Sequence, residues 1–372
     1  MSNDNTAQLT PTAGEREALL SPVELGALHL SNRIVMAPMT RNRAHPDGVP
    51  TDIMVDYYAA RAEAGLIVAE GTWPSVTGQA YCRQPGIETQ AHIAGWRAVT
   101  DAVHARSGLI VLQVMHAGRI GSRHIKPEGV ETVAPSAIQA AGEVFTDAAG
   151  MQPYDEPRAL NREEVQAVVE EHRQAALNAR EAGFDGVELH VTSGYLPMQF
   201  LCSGTNQRTD EYGGSIANRV RFVVECLEAM ANAIGADRVA LRVNPGNTFN
   251  DTQDDDPEAS HRELVRQAST LGLAYLHMMS SPLPELDAFA LGKAYFPDRL
   301  ILNNSFDPDS ATHAVAEGQG AAVSFARHFI ANPDLVRRIR DDLPLSKFNR
   351  KTLYTPGATG YSDYPRADID QG

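Results

Sequence analysis

The protein has 372 residues, of which 43% are hydrophobic and 21% are charged, and both values are typical of a soluble globular protein. Its formal net charge of −15, from 32 Lys and Arg against 47 Asp and Glu, argues against nucleic acid or an anionic membrane surface as a partner. No apolar run is long enough to cross a membrane, and the 3 cysteines lie far apart, so we expect a cytoplasmic protein with free thiols.

The first twenty residues are polar and lack the basic and apolar regions of a signal peptide. They predict a flexible N-terminal tail over 1–20, followed by one domain over 21–372.

Short runs rich in β-branched residues alternate with helical patterns along the rest of the chain. The predicted strands are 32–40, 66–73, 109–116, 186–192, 239–245, 275–281, 300–305 and 321–327. The predicted helices are 52–65, 90–107, 161–183, 215–234, 257–271, 308–318 and 333–341.

Strands that alternate with helices indicate βαβ units and a parallel sheet, and eight such units close into a (β/α)₈ TIM barrel. An open doubly wound sheet is the alternative. It would need a glycine-rich turn after the first strand, and "APMTRNR" (37–43) offers none. Residues 117–160 are too many for an ordinary loop, so we expect a capping segment over the barrel mouth after the third strand.

Alternation within the strands predicts which side chains enter the barrel. In "VALRVNP" (239–245) the alternate apolar residues face the helices, so Arg242 points inward. In 109–116 the same parity sends Gln113 and Met115 inward. A buried guanidinium needs an anionic ligand or an inward carboxylate, here Glu188 or Glu70, and both alternatives remain open. Gln113 could likewise be a satisfied core amide.

Polar residues also follow the strands where a barrel carries its active site. The stretch "VELHVTSGYLPMQF" (187–200) puts His190 on the polar face of a strand, with Ser193 and Tyr195 just beyond its end. Arg327 ends the eighth strand beside "NNS" (303–305), which suits a phosphate site, although a surface ion pair is the alternative. The histidines lack the spacing of a ligand set, so we expect no metal.

Several long motifs of this sequence resemble those of the old yellow enzyme family, from about Leu20 to Pro365. They are "RIVMAPMTRNRA" (33–44), "EGTWPS" (70–75), "LQVMHAGR" (112–119), "NQRTDEYGGSIANRVRF" (206–222), "FARHFIANPDLVRRI" (325–339) and "YTPGATGYSDYP" (354–365). The resemblance implies an ene-reductase with non-covalent FMN that uses NADPH or NADH and reduces small activated alkenes. Thr40 stands where a second branch of the family has cysteine, so the chain resembles the threonine-type branch.

The resemblance also implies the cofactor site. Residues carried over to the flavin ring are Pro38, Met39, Thr40, Gly71, Gln113 and Arg242, and those carried over to the phosphate are Asn304, Ser305, Ala326 and Arg327. A cation at the position of Arg242 would favour the reduced flavin, which carries negative charge at that edge.

For catalysis, the resemblance implies that hydride passes from flavin N5 to the β-carbon of the alkene. His190 would hydrogen-bond the carbonyl or nitro oxygen, and Tyr195 would protonate the α-carbon. Ser193, Met115 and Tyr354 would line the substrate pocket. Ser193 stands where the family usually has Asn or His, and Met115 where many members have tryptophan, so both are expected to alter substrate preference.

Two other readings remain. A flavin-free aldolase or isomerase barrel would need a catalytic lysine or carboxylate, and no predicted strand ends in lysine. A flavin-binding barrel with reduced or altered activity, such as nitro or nitrate ester reduction or sensing, would explain Ser193 as a sign of lost catalysis. We expect the protein to be a monomer or a homodimer.

Overall fold

The computed structural model describes residues 11–304 and 306–367. Their strands are β1 (Val23–Leu25), β2 (Leu28–Leu30), β3 (Ile34–Met36), β4 (Leu66–Thr72), β5 (Ile110–Val114), β6 (Val133–Ala134), β7 (Glu143–Thr146), β8 (Gly150–Pro153), β9 (Arg158–Ala159), β10 (Gly186–Val191), β11 (Val239–Val243), β12 (Leu276–Met279), β13 (Leu300–Asn303) and β14 (Ala322–Phe325). Their helices are α1 (Ala13–Leu20), α2 (Asp52–Ala59), α3 (Gln90–His104), α4 (Arg162–Glu181), α5 (Leu196–Leu201), α6 (Ile216–Arg219), α7 (Arg221–Ile234), α8 (Pro257–Ser269), α9 (Ala288–Tyr295), α10 (Pro308–Ala316), α11 (Arg327–Ala331) and α12 (Leu335–Arg340).

Eight parallel strands among the described residues close into a barrel in the order β3, β4, β5, β10, β11, β12, β13, β14. Each lies inside one of the predicted strand segments, and helices connect most consecutive strands, so the predicted (β/α)₈ fold is confirmed. The open-sheet alternative is wrong, because β14 pairs with β3 and leaves no sheet edge.

The barrel interior changes character along the strands. At the amino ends, inward apolar residues such as Val111, Ala240 and Ile301 form one buried cluster with the leucines of the β1–β2 hairpin, which therefore plugs the bottom of the barrel. Two residues further along β5 and β11, the inward side chains become Gln113 and Arg242. The parity prediction is therefore confirmed, and a polar layer lies at the carboxyl ends of the strands.

The segment between β5 and α4 forms the predicted cap. β7 and β8 make an antiparallel hairpin in which Phe145 pairs with Met151, and β6 pairs with β9 at its base. Phe145 is 52% exposed and faces the barrel mouth, so the hairpin supplies an apolar edge to the opening.

The predicted tail over 1–20 is wrong for its second half. Residues 13–20 form α1, which begins at a capping box between Thr12 and Glu15. Leu19 is fully buried, and its carbonyl oxygen accepts a hydrogen bond from the backbone N–H of Arg33. Residues 1–10 lie outside the described residues.

Candidate active site

The turn that follows β10 brings three predicted residues together. Ser193 (φ +58°) and Gly194 (φ +74°) both adopt the left-handed conformation, which turns the chain so that Tyr195 caps α5. A Cβ on Gly194 would lie 2.3 Å from Oγ1 of Thr252, so only glycine fits there. His190 and Tyr195 meet edge to face with ring centroids 4.9 Å apart.

His190 is a neutral hydrogen-bond donor. Burial, followed by repulsion from Arg242, lowers its pKa to about 3. Its Nδ1 accepts a hydrogen bond from the backbone N–H of Thr192 at 3.2 Å. The ring proton therefore sits on Nε2.

Tyr195 is a protonated phenol at neutral pH. Burial is the main cause that raises its pKa to about 12. Its hydroxyl lies 2.7 Å from that of Tyr81, a residue that the sequence analysis did not identify. Tyr81 lies in the loop after β4, and no spacing or periodicity in the sequence points from that loop to Tyr195.

Ser193 is half-buried, and its Oγ lies 3.1 Å from Oγ1 of Thr192. Its carbonyl oxygen accepts a hydrogen bond from Nδ2 of Asn250 at 2.8 Å, so the loop after β11 holds the turn in place through the backbone.

A cavity of about 730 Å³ opens above the carboxyl ends of the strands, within the usual size range of small-molecule sites. Six of the predicted site residues line it, namely Met39, Thr40, Tyr195, Ala326, Arg327 and Tyr354. Further lining residues that the sequence analysis missed include Arg41, Tyr81, Phe145, Tyr154, Phe249 and Arg350. Phe249 and Tyr354 are each 60% exposed, so the mouth of the cavity carries exposed aromatic rings beside the charged side chains of Arg327 and Arg350.

The inward cation Arg242 pairs with neither Glu188 nor Glu70. Its Nη2 donates to Oδ1 of Asn303 at 2.8 Å, and its buried Nε has no hydrogen-bond partner among the described residues. Gln113 does have a partner, because its Nε2 donates to Oε1 of Glu188 at 2.8 Å.

The remaining predicted residues lie nearby. Pro38 lies two residues after the end of β3 and precedes Met39 in the cavity wall. Met115 is buried with Tyr195 in one apolar cluster and packs on Gly71, where a Cβ would lie 2.5 Å from its Sδ. Met115 is therefore not part of the cavity wall itself.

Of the four residues predicted to hold a phosphate, Ala326 and Arg327 follow β14 in the cavity wall. Arg327 forms no ion pair with any described residue, so the surface-pair alternative has no support in the described structure. Asn304 has a φ of +84° and donates from Nδ2 to Oγ of Ser280 at 3.0 Å. Ser305 lies outside the described residues.

Among residues 11–304 and 306–367, no group of three or more His, Cys, Asp or Glu side chains could hold a metal ion. No helix in those ranges is both long and apolar enough to span a membrane.

Comparison with known proteins gives consistent matches over nearly the whole chain. Residues 18–346 match the model of the NADH:flavin oxidoreductase / NADH oxidase family. A probable flavin mononucleotide-dependent alkene reductase of Leishmania infantum is 43% identical, over 94% of this chain and 97% of that protein. A putative 12-oxophytodienoate reductase of Oryza sativa subsp. japonica is 38% identical, over 97% and 96%.

Solved structures agree with these matches. A morphinone reductase variant in complex with tetrahydroNAD superposes with a TM-score of 0.91 at 42% identity, covering 95% of this chain and 99% of that one. An old yellow enzyme homologue from Zymomonas mobilis superposes with a TM-score of 0.90 at 39% identity, covering 93% and 99%.

Proposed function

The chain belongs to the NADH:flavin oxidoreductase / NADH oxidase family and is an NAD(P)H-dependent FMN oxidoreductase, and from that premise we propose that it reduces small activated alkenes. The proposed substrates are α,β-unsaturated carbonyl compounds and nitro-alkenes. The observation that carries this proposal is the contact between a neutral imidazole donor, His190, and a protonated phenol, Tyr195, which lines the cavity.

The residues beneath and beside the cavity fit FMN. The unpartnered Nε of Arg242 on β11 offers a buried cationic donor to an electron-rich ring edge. Gln113 offers an amide from β5, which is separated from β11 by β10. Arg327, which has no ion-pair partner among the described residues, would hold the phosphate. When bound, FMN supplies hydride transfer from NAD(P)H to the alkene.

The chain's own residues would then act on the alkene. Negative charge develops on the carbonyl or nitro oxygen, and Nε2–H of His190 is the donor proposed to stabilise it. Tyr195 is proposed to deliver the proton to the α-carbon, because a phenol with a pKa of about 12 keeps its proton at neutral pH until a carbanion forms.

A second candidate function is a flavin barrel with reduced or altered activity, for example on nitro compounds or nitrate esters, or in sensing. The observation in its favour is Ser193, whose short hydroxyl is already within hydrogen-bond distance of Thr192. Both candidates share the same cofactor and differ in the rate of alkene reduction.

We expect the purified protein to be yellow, with one non-covalent FMN per chain. Anaerobic NADPH or NADH should bleach the flavin absorption, and a cyclic enone should restore it within one turnover. Colourless protein that takes up no FMN on reconstitution contradicts the cofactor proposal. Bleaching without reoxidation by any enone or nitro-alkene favours the second candidate.

Titration of His190 and Tyr195 should contribute no pH dependence to the reoxidation rate between about pH 5 and about pH 10. His190 stays neutral above its pKa of about 3, and Tyr195 keeps its proton below its pKa of about 12. Stopped-flow reoxidation across this range tests the prediction. If the reoxidation rate changes with pH near neutrality and this change disappears in His190→Asn, then His190 carries a charge in that range.

A further inference from the structure

A chain of buried hydrogen bonds crosses the barrel interior between two opposite charges. Arg242 donates to Oδ1 of Asn303 at 2.8 Å, and Nδ2 of Asn303 lies 2.7 Å from Oγ of Ser324. Ser324 Oγ is 2.7 Å from Nε2 of His277, whose Nδ1 is 2.8 Å from Oε2 of Glu188. All five side chains are at most 7% exposed.

Along this series of hydrogen bonds, every donor can be assigned on the side of Arg242 and every acceptor on the side of Glu188. Burial disfavours a charge on Glu188, but the hydrogen bond from His277 and the attraction of Arg242 hold its pKa below the ordinary value. Burial also lowers the pKa of His277, so this ring is neutral and donates from Nδ1 to the carboxylate. Its Nε2 then accepts from the hydroxyl of Ser324, which in turn accepts from Asn303. Each hydrogen bond between the Arg242 cation and the Glu188 anion therefore has one donor and one acceptor.

Glu188 also decides how Gln113 is oriented. Nε2 of Gln113 donates to Oε1 of Glu188 at 2.8 Å, and the hydroxyl of Tyr275 donates to Oε2 at 3.1 Å. An ionised carboxylate only accepts hydrogen bonds, so Gln113 must turn its NH₂ group toward it. The carbonyl oxygen of Gln113 accepts no hydrogen bond from a described residue, and it remains available to a ligand. The two orientations of an amide occupy nearly the same volume, so the carboxylate alone selects between them.

We propose that Glu188 is a positioning residue for the cofactor, one that makes Gln113 offer a carbonyl oxygen to an N–H group of the flavin ring. Through His277, Ser324 and Asn303 the same carboxylate holds the guanidinium of Arg242. This inference rests on the proposed placement of FMN over Gln113 and Arg242. Glu188 has no contact with the cavity and acts only through these neighbours.

A double-mutant cycle on the full-length holoprotein tests this role. The dissociation constant of FMN is measured from the rise of flavin fluorescence on dilution. Glu188→Gln should raise it about tenfold, because a glutamine has one acceptor oxygen for three donors and releases Gln113 from its orientation. In a Gln113→Leu background, the same change should raise it less than about twofold, since no amide is left to orient.

Tyr275→Phe is the matched control, because it removes one hydrogen bond to Glu188 without altering the charge or the contact with Gln113. It should leave the dissociation constant within about twofold of the native value. The midpoint potential of bound FMN gives a second readout. It should become more positive in Glu188→Gln, since an anion beneath the ring is lost, and a purely structural role would not move it.

Equal effects of Glu188→Gln in both backgrounds would overturn the inference, as would an unchanged potential. If the Glu188→Gln chain does not fold, Glu188→Asp takes its place in the cycle, because it keeps the charge and shortens the reach to Gln113; additivity would again overturn the inference. A native chain that retains no FMN would overturn the proposed function and this inference together. A native holoprotein with an additive cycle would overturn this inference alone.

Discussion

Tyr195→Phe should slow the reoxidation of the reduced holoprotein by a cyclic enone by about 10²–10⁴-fold, the range typical for the loss of a positioned proton donor. Reduction of the bound FMN by NAD(P)H needs no proton from this phenol, so that half-reaction should remain within about threefold of the native rate. The two rates are measured separately by anaerobic stopped-flow absorption at the flavin band.

The substitution also leaves the hydroxyl of Tyr81 without its partner at 2.7 Å. Tyr81 is half-buried and lines the cavity, so losing this hydrogen bond costs about 0.5–1.5 kcal/mol of stability, and a fall in melting temperature is expected as well. Tyr212→Phe is a matched control for this loss. Its buried phenol also has a pKa raised to about 12, mainly by burial, and donates to Glu225 at 2.9 Å, but it does not line the cavity.

Tyr212→Phe should lower the stability and leave both half-reactions unchanged. If Tyr195→Phe behaves in the same way, its phenol only packs against the cap and is not the proton donor. Equal slowing of both half-reactions would point instead to a misplaced cofactor.

The barrel could be predicted because its signals are local. Most barrel strands are short apolar runs that contain β-branched residues, and the parity within 239–245 was enough to place Arg242 inside. The elements that were missed depend on distant contacts. α1 is a largely polar helix that the sequence pattern did not reveal, and its Leu19 is buried against other parts of the fold. α5 begins at the turn that Ser193 and Gly194 create.

The residues of the candidate site also fall into those that the sequence predicted and those that it did not. Residues at strand ends, such as His190 and Tyr195, were predicted because the barrel brings all carboxyl ends to one face. Tyr81, Phe249 and Arg350 come from loops, and only the folded chain shows that they reach the same cavity. The partner of Arg242 was also beyond the sequence, because the choice of Asn303 over Glu188 depends on the other donors that Glu188 already accepts.

Ser193→Asn should raise kcat/KM on a small cyclic enone by about tenfold to hundredfold. Two donors to the substrate oxygen stabilise its developing charge better than His190 alone, and losing one such donor typically costs about 10²–10³ in rate. The serine hydroxyl is short and lies 3.1 Å from Oγ1 of Thr192, so a bridging water is needed to recover part of this effect. On a bulky alkene the longer side chain should lower kcat/KM, because it narrows the pocket.

The backbone favours this substitution. Ser193 has a φ of +58°, a region in which asparagine is several-fold enriched over most residues, so the variant should not strain the turn. Asn250 holds the turn through the carbonyl oxygen of residue 193, and this contact does not depend on the side chain. The melting temperature and the FMN content of the variant should therefore match the native values.

Ser193→Ala separates the donor from the size of the side chain. If the serine already donates through a water, alanine should lower kcat/KM on the small enone, whereas the gain in Ser193→Asn should remain. The competing explanation is that Thr192 supplies the second donor, since its Oγ1 lies between His190 and Ser193. In that case neither substitution changes the rate on the small enone, and Thr192→Val lowers it. A variant Ser193→Asn that binds FMN normally and is no faster than the native protein would show that no donor is missing from this site.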